Sequence, residues 1–190
     1  KLEPEKQEKL IRIALDETNR LNLLTNNILV SSQLENKGFA STKEELDFSA
    51  LVKDCIKDMQ TRFPGRQIRS HIESELDIKG DALLLQILLN NLLENAIKYS
   101  PSSSYIEATL KKEASQLQLQ IADQGIGIPA SEKKKIFDRF YRIGNETTRT
   151  TKGTGLGLYL CERIAHHHQA TITVKDNHPA GSIFLVNFAI

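Results

Sequence analysis

Two short glycine clusters constrain this 190-residue chain more than any other feature. One runs from Asp123 to Ile128 with the letters D-Q-G-I-G-I, and the other runs from Gly153 to Leu158 with G-T-G-L-G-L. Glycine lets backbone amides approach a phosphate closely, and a helix that begins just after the glycines adds the positive end of its dipole. An asparagine-rich stretch, N-L-L-E-N-A-I-K-Y, lies upstream from Asn91 to Tyr99. The three segments together predict a nucleotide-binding site.

The composition excludes several classes of protein. With 39% apolar and 26% charged residues, the chain resembles an ordinary globular protein. Its net charge of +1 argues against a dedicated binder of nucleic acid or of anionic membranes. Cys55 and Cys161 form no metal or redox motif, which indicates buried thiols in a reducing compartment. No apolar run approaches the roughly 18 residues of a membrane span, and the chain begins without methionine, as an excised fragment would.

The spacing of apolar residues predicts two domains. From Leu10 to Leu34 they recur at helical spacing in a wide stripe, which is typical of a helix in a bundle. The polar stretch from Glu35 to Glu45 predicts a linker. We place the boundary at Lys43, so that residues 1–42 form the bundle segment and residues 43–190 form the second domain.

The second domain mixes helical and strand patterns without the regular alternation of a parallel doubly wound sheet. Helices are predicted at Phe48 to Met59, at Ala82 to Tyr99 and at Leu156 to His167, the first two capped by Asp47 (or Ser49) and Asp81. Strands are predicted at Gln67 to Glu73, Asp77 to Gly80, Tyr105 to Lys111, Leu117 to Ala122, Thr171 to Lys175 and Ser182 to Phe188. The pattern predicts an α+β, two-layer sandwich whose mixed, mostly antiparallel sheet is covered by helices on one face, preceded by the bundle helix.

The asparagine-rich helix carries a candidate metal and phosphate site. Asn91 and Asn95 lie one turn apart on one face, and Lys98 joins that face. Amide oxygens suit Mg²⁺, which needs one or two protein ligands when it also holds phosphates, and Lys98 could reach a phosphate. The alternative is a pair of asparagines that only pack the helix against a neighbouring loop. Glu94 could act as a general base, although its angle on the helix disfavours this.

The first glycine cluster offers a carboxylate and a flat backbone. Asp123 ends a predicted strand, and a carboxylate there can accept a hydrogen bond from an exocyclic amine such as that of adenine. Gly125 and Gly127 would let the backbone lie against the base. An ordinary turn after a strand is the alternative.

The second glycine cluster leads into a helix. Gly153, Gly155 and Gly157 form neither the dinucleotide fingerprint, which has the spacing G-x-G-x-x-G, nor a P-loop, which requires a following G-K-S or G-K-T. A flexible hinge that feeds the helix is the alternative to a phosphate site.

The segment between the clusters, Ile128 to Gly153, is a long irregular loop with one short helical pattern from Ser131 to Phe137. Loops of this length inside a domain are usually functional or mobile. It contains I-F-D-R-F-Y-R from Ile136 to Arg142, where Arg139 or Arg142 could reach a terminal phosphate. The aromatic residues of this segment could equally anchor the loop to the core.

Three consecutive histidines, His166 to His168, are the remaining cluster of potential ligands. They point in different directions around a helix end, where cations are favourable, so metal binding is the less favoured interpretation.

In order and spacing these segments resemble the catalytic and ATP-binding domain of bacterial sensor histidine kinases, in the superfamily that also contains gyrase, chaperone and mismatch-repair ATPases. The N box is Asn91 to Tyr99, the first G box Asp123 to Gly127, the F box Phe137 to Arg142, and the second G box Gly153 to Gly157. The resemblance covers Leu46 to Ile190 and implies the Bergerat ATP-binding fold of this superfamily.

The resemblance also implies roles for individual residues. Asn91 and Asn95 would contact Mg²⁺ and phosphates, and Lys98 and Arg142 would be the catalytic residues on the phosphate tail. Tyr99 and Asp123 would contact the adenosine end. The full set of implied ATP-binding residues is Asn91, Asn95, Lys98, Tyr99, Asp123, Gly125, Gly127, Ile128, Arg142, Thr154, Gly155, Leu156 and Gly157.

One position separates the branches of the superfamily. The hydrolytic members carry a glutamate base four residues before the N-box asparagine Asn95, and this chain has Asn91 there. A neutral amide cannot deprotonate water, which favours phosphoryl transfer over hydrolysis. The chain departs from the kinases where His168 is followed by Gln169 and Ala170 instead of two glycines.

The resemblance implies an ATP:protein-histidine phosphotransferase that uses ATP and Mg²⁺. None of the five histidines lies in an H-E-x-R-x-P context, so the acceptor is expected on a separate helix, and Leu10 to Leu34 resembles the second helix of the dimerisation hairpin. The implied partners are that dimerisation domain, a response regulator and a second copy of the parent, with no nucleic acid. The implied location is a cytoplasmic domain of a parent anchored in the inner membrane. A degenerate nucleotide-binding or docking module and a hydrolytic ATPase are the alternatives.

Overall fold

The computed structural model describes residues 3–35, 42–144 and 153–189. Its elements in chain order are α1 (Pro4–Glu35), β1 (Glu44–Asp47), α2 (Phe48–Arg62), β2 (Gln67–Ile72), β3 (Asp77–Gly80), α3 (Ala82–Tyr99), β4 (Tyr105–Glu113), β5 (Gln116–Ala122), α4 (Gly157–His167), β6 (Ala170–Asp176) and β7 (Ser182–Ala189). A short 3-10 helix, Lys135–Phe137, precedes α4.

The first helix is the long bundle-type helix that the sequence predicts. It begins at Pro4, earlier than the apolar pattern, because proline is tolerated in the first turn of a helix. Leu10, Leu15 and Leu21 are more than half exposed, so much of its apolar stripe faces away from the rest of the chain. Among the described residues, no helix is both long and apolar enough to cross a membrane.

A five-stranded sheet forms the second layer of the sandwich. Its strand order is β2-β4-β5-β7-β6, and only β2 and β4 run parallel. The smaller strands β1 and β3 pair antiparallel in a separate sheet. The predicted α+β sandwich with a mostly antiparallel sheet is therefore confirmed.

Three local predictions need correction. Glu44 and Glu45, assigned to the linker, belong to β1, because they pair with Gly80 and Lys79. The strands β4 and β5 are predicted to end at Lys111 and to begin at Leu117, but their pairing continues to Glu113 and Gln116. The turn between them therefore contains only two unpaired residues. The predicted helical piece from Ser131 to Phe137 is a run of turns that ends in the 3-10 helix, because its apolar residues are confined to the last two positions.

Alternation along the strands places the core between the sheet and the helices. In β4, Ile106, Ala108 and Leu110 are fully buried, and the residues between them are partly exposed. Asp47 caps α2 by accepting a hydrogen bond from the Ala50 amide at 2.9 Å. Asp81 caps α3 in the same way as predicted.

Helix α3 brings the core and the site together. One side carries a continuous buried stripe: Leu84, Leu85, Leu88, Leu89, Leu92, Leu93 and Ala96. Asn91, Asn95 and Lys98 fall between these positions and remain half-buried. The burial of the leucines therefore fixes the direction in which the three polar side chains are presented.

His168 ties the end of α4 to the start of α3. Its Nε2 accepts a hydrogen bond from the Asp81 amide at 3.0 Å, and its Nδ1 lies 2.8 Å from the Ile164 carbonyl oxygen. These partners require a neutral ring with the proton on Nδ1. At least one histidine of the tract is therefore structural, and the described ranges contain no group of three or more His, Cys, Asp or Glu side chains that could hold a metal ion. The next residue, Gln169, has a φ of +56°. It therefore adopts the left-handed backbone conformation that glycine favours, at a position where the kinases commonly have glycine.

Acid is expected to destabilise the fold through His168. Burial lowers the pKa of this imidazole below its ordinary value of 6.5. Because the unfolded chain then takes up a proton more readily than the folded chain, the free energy of unfolding should fall as the pH drops through about 6.5. Urea unfolding at pH 7.5 and pH 5.5 measures this loss. His168→Phe should make the loss smaller, with the lowered pKa of His167 accounting for part of what remains, and the exposed control His71→Gln should keep the full loss. An equal loss in His168→Phe would contradict the assignment.

Candidate nucleotide-binding site

The N box and the second G box touch at Asn91. Its Nδ2 donates a hydrogen bond to the Ile87 carbonyl at 2.8 Å, which leaves Oδ1 directed at Gly157. A Cβ built on Gly157 would lie only 2.6 Å from that oxygen. The glycine is therefore required for α4 to begin against the Asn91 amide, and the predicted phosphate end of the site is assembled by this contact.

Two cationic side chains meet at Gly153. A Cβ built on this glycine would lie 2.7 Å from Lys98 Nζ, and Arg142 Nη1 donates a hydrogen bond to the Gly153 carbonyl oxygen at 3.0 Å. Both predicted phosphate-binding cations are thus brought to one point of the second G box. Asn95 lies half-buried between Asn91 and Lys98 on the same helix.

The F box is seated on the middle glycine of the second G box. Gly155 has a φ of +75°, and a Cβ there would come 2.6 Å from the Phe140 carbonyl carbon. In return, the Phe140 amide donates to the Gly155 carbonyl oxygen at 3.0 Å. Phe140 itself has a φ of +63°, which is rare for a bulky side chain and is found mostly where function requires a strained backbone.

The aromatic side chains of the F box differ in burial and in their contacts. Phe137 is buried in the core, whereas Phe140 is 56% exposed, so only the first of these two rings anchors the loop. The Tyr141 hydroxyl donates a hydrogen bond to Glu132, which raises the pKa of the phenol and lowers that of the carboxyl. The residue that follows is Arg142, so this hydrogen bond holds the backbone next to a predicted phosphate ligand.

The first G box is built around a buried carboxylate. Asp123 is 5% exposed, and its Oδ1 accepts hydrogen bonds from the Gly125 amide at 2.7 Å and the Ser182 amide at 3.3 Å. Burial raises the pKa of Asp123, and the two amides oppose that shift. Since both hydrogen bonds use Oδ1, the other oxygen is the one predicted to accept from an exocyclic amine.

Gly125 joins this carboxylate to the end of the N box. A Cβ on Gly125 would lie 2.4 Å from the Tyr99 carbonyl oxygen. In the structure, the backbone at Gly125 packs directly against the end of α3. Gly127 has a φ of +73°, and the intervening Ile126 is 89% exposed.

Support for Asp123 comes from the turn between β6 and β7, whose letters from Asp176 to Gly181 are D-N-H-P-A-G. The Asn177 side chain donates to the Asp123 carbonyl oxygen at 2.7 Å, and the Asp123 amide donates to the Ser182 carbonyl at 2.9 Å. Gly181 is so close that a Cβ would lie 2.0 Å from the Asp123 carbonyl oxygen. Nothing in the letters D-N-H-P-A-G indicates this partner, because the contact depends on the pairing of β5 with β7.

Three predicted residues take mainly structural positions. Leu156 is fully buried before α4, and its amide donates to Thr154 Oγ1 at 3.4 Å. Ile128 packs against the core. Glu94 forms an ion pair with Arg62 at 2.9 Å, which directs its carboxylate towards α2 and agrees with the argument against a general base there.

The donor set fits a hard cation next to phosphates. Asn91 Oδ1 faces the glycine that begins α4, and amide oxygens are suitable ligands for Mg²⁺. Lys98 and Arg142, which meet at Gly153, are cations of the kind that bind phosphates.

Comparison with known proteins agrees with this geometry. A family model described as "Histidine kinase-, DNA gyrase B-, and HSP90-like ATPase" matches residues 80–189, which include the N box and both G boxes. The chain belongs to this family. Membership makes this part of the chain an ATP-binding domain, as predicted.

The curated relatives indicate which branch of this family the chain resembles, namely the sensor histidine kinases. The chain is 46% identical over 113 residues to sensor protein CiaH of Streptococcus pneumoniae, covering 60% of this chain and 26% of that protein. It is 30% identical over 177 residues to the signal transduction histidine-protein kinase ArlS of Staphylococcus haemolyticus, covering 93% of this chain and 39% of that protein. The chain thus spans well under half the length of these relatives, and the predicted sensor histidine kinase ATP-binding domain is confirmed.

Solved structures show the same fold. The Acinetobacter baumannii histidine kinase AdeS matches with a TM-score of 0.78 at 24% identity, covering 96% of this chain and 84% of that chain. Full-length ShkA in complex with AMPPNP matches with a TM-score of 0.81 at 22% identity, covering all of this chain and 40% of that chain.

Proposed function

We propose that this domain holds ATP with Mg²⁺ and transfers the γ-phosphoryl group to a histidine on a separate helix. The observation that carries the proposal is the meeting of Lys98 and Arg142 at Gly153, beside the Asn91 amide. Two cations that are already in position stabilise the negative charge on the phosphoryl oxygens in the transition state. Catalysis then consists chiefly of positioning, because the attacking imidazole is supplied from outside the site.

In this proposal each part of the site binds one part of the nucleotide. Asp123 accepts from the exocyclic amine of adenine, and Tyr99 lies beside the adenosine. Asn91 and Asn95 hold Mg²⁺, which would neutralise phosphate charge when bound. Lys98 and Arg142 bind the phosphate tail.

Phosphoryl transfer is favoured over hydrolysis because the site has no base for water at the expected position. Asn91 stands there and is neutral, and Glu94 is paired with Arg62. A hydrolytic ATPase would therefore require a base from elsewhere. A degenerate docking module is disfavoured because the glycines still pack against Asn91 and Tyr99.

The names of the relatives guide the proposal for the parent protein. We infer a two-component sensor kinase that forms a homodimer through a hairpin containing α1 and passes the phosphoryl group to a response regulator. The acceptor histidine would lie on the other hairpin helix. Residues 1–42 would be the hairpin segment and residues 43–190 the catalytic domain, within a membrane-anchored parent whose catalytic part faces the cytoplasm.

Calorimetric titration with ATP and Mg²⁺ tests the binding step. Asn95→Ala should weaken ATP binding by about 10- to 100-fold, the equivalent of one lost interaction with a charged group. The control Asn22→Ala, exposed on α1, should bind like the wild type. Failure of the wild type to bind ATP would support the docking module instead.

Labelled ATP tests the transfer step. A separately supplied hairpin with the acceptor histidine should acquire acid-labile label from this chain. Rapid steady phosphate release by the chain alone would instead support the hydrolytic ATPase. Asn91→Glu is the matching probe, because it restores the carboxylate of the hydrolytic branch.

A further inference from the structure

The last turn of α1 is joined to the F box and to α4 by one carboxylate. Glu35 Oε1 accepts hydrogen bonds from the Tyr159 hydroxyl at 2.6 Å and from the Ser31 hydroxyl at 3.2 Å. Arg139 Nη1 lies 3.5 Å from the same oxygen. We call Ser31, Glu35, Arg139 and Tyr159 the Glu35 cluster. It connects residues more than a hundred positions apart in the chain.

The cluster stabilises the ionised form of Glu35. Hydrogen bonds from Tyr159 and then Ser31 lower the pKa of the Glu35 carboxyl, and the charges of Arg139 and Arg163 act in the same direction. The carboxylate is therefore charged at neutral pH, and its hydrogen bonds are charge-assisted. All of these groups face Glu35 from α1, the F box and α4.

The cluster continues into the nucleotide site through the F box. The Arg139 guanidinium carbon lies 5.3 Å from the centroid of the Phe140 ring and 6.0 Å from that of Tyr159. Phe140 is bonded through its amide to the Gly155 carbonyl and packed against the Gly155 backbone. A short path of contacts thus leads from Glu35 to the glycine in the middle of the second G box.

We propose that Glu35 is a positioning residue of the nucleotide site, which holds Arg139 and Tyr159 so that the F box stays seated on Gly155 and bound ATP is released slowly. Glu35 lies on α1 and acts only through these side chains. The inference rests on the proposed function, because it takes ATP as the ligand of the site.

The dissociation rate of a fluorescent ATP analogue with Mg²⁺, measured by displacement with excess ATP, tests the proposal on the whole chain. Glu35→Gln and Tyr159→Phe should each increase the rate by about 3- to 10-fold, the range expected for weakening a partly exposed charge-assisted hydrogen bond. The effect of the double variant should be smaller than the product of the two single effects, because both changes act on the same hydrogen bond. Glu8→Gln, an exposed carboxylate on the same helix, is the control and should leave the rate unchanged.

Hydrogen exchange of the Phe140 amide provides a second measurement that needs no nucleotide. Exchange should become several-fold faster in Glu35→Gln and remain unchanged in Glu8→Gln. An unchanged exchange rate would overturn the proposal, and so would multiplicative effects of Glu35→Gln and Tyr159→Phe on dissociation. If the wild type bound no ATP, the proposed function would fail, and the exchange rate would still show whether Glu35 seats the F box.

Discussion

Replacing Gly181 with alanine should destabilise the protein by about 3 to 5 kcal/mol. Gly181 has a φ of +109°, a conformation that side chains rarely adopt, and the added Cβ would lie 2.0 Å from the Asp123 carbonyl oxygen and 2.7 Å from its carbonyl carbon. Neither backbone can move freely, because Asp123 is paired with Ser182 in both directions. The free energy of unfolding in urea measures the effect.

Gly65→Ala is the matched control for this prediction. A Cβ on Gly65 meets nothing within 4 Å, so the free energy of unfolding should change by less than about 1 kcal/mol. Any Gly181→Ala protein that remains folded should also bind ATP more weakly than the control, because the strain is relieved by moving Asp123. Equal stability of the two variants would show that the close approach at Gly181 is not a constraint.

Replacing Asp123 with asparagine should abolish most ATP binding and leave the fold intact. The asparagine oxygen can still accept from the Gly125 and Ser182 amides, so its packing and hydrogen bonds within the chain are kept. The new amino group then faces the adenine amine, and two donors oppose each other. We expect ATP affinity to fall by about 100-fold, measured by calorimetry.

The same substitution should reverse the preference between bases. Inosine triphosphate carries a carbonyl oxygen where ATP carries its amine, so Asp123→Asn should bind it better than ATP, while the wild type prefers ATP. Asp54→Asn, an exposed carboxylate on α2, is the control and should keep the wild-type preference. An unchanged preference in Asp123→Asn would mean that this carboxylate does not contact the base.

Much of the local structure could be predicted because its causes lie close together in the chain. Asp47 and Asp81 cap helices through amides only three residues away, and such contacts are encoded by spacing alone. The helical period likewise puts Asn91 and Lys98 on the side of α3 that the leucines leave free. These predictions needed no knowledge of the sheet.

Contacts between distant segments could not be predicted in the same way. Ser182 and Gly181 support Asp123 only because β7 pairs with β5, and no local pattern specifies that register. The conformation of Phe140 is a second example, since a phenylalanine with positive φ contradicts the backbone preference of its residue type. The contact of Glu35 with Tyr159 also arises from the packing of α1 on α4 rather than from any motif.

The two glycine clusters are anchored to one rigid helix, and this sets the length of molecule that the site can accept. Gly157 packs on Asn91 and Gly125 packs on Tyr99, so the two anchor points are separated by about 12 Å along the helix axis. That spacing is fixed by backbone hydrogen bonds within α3 and does not adapt to the ligand. In the proposed binding mode, a nucleobase alone or a phosphate alone would engage one end, whereas a nucleotide that spans both would gain the advantage of two linked contacts.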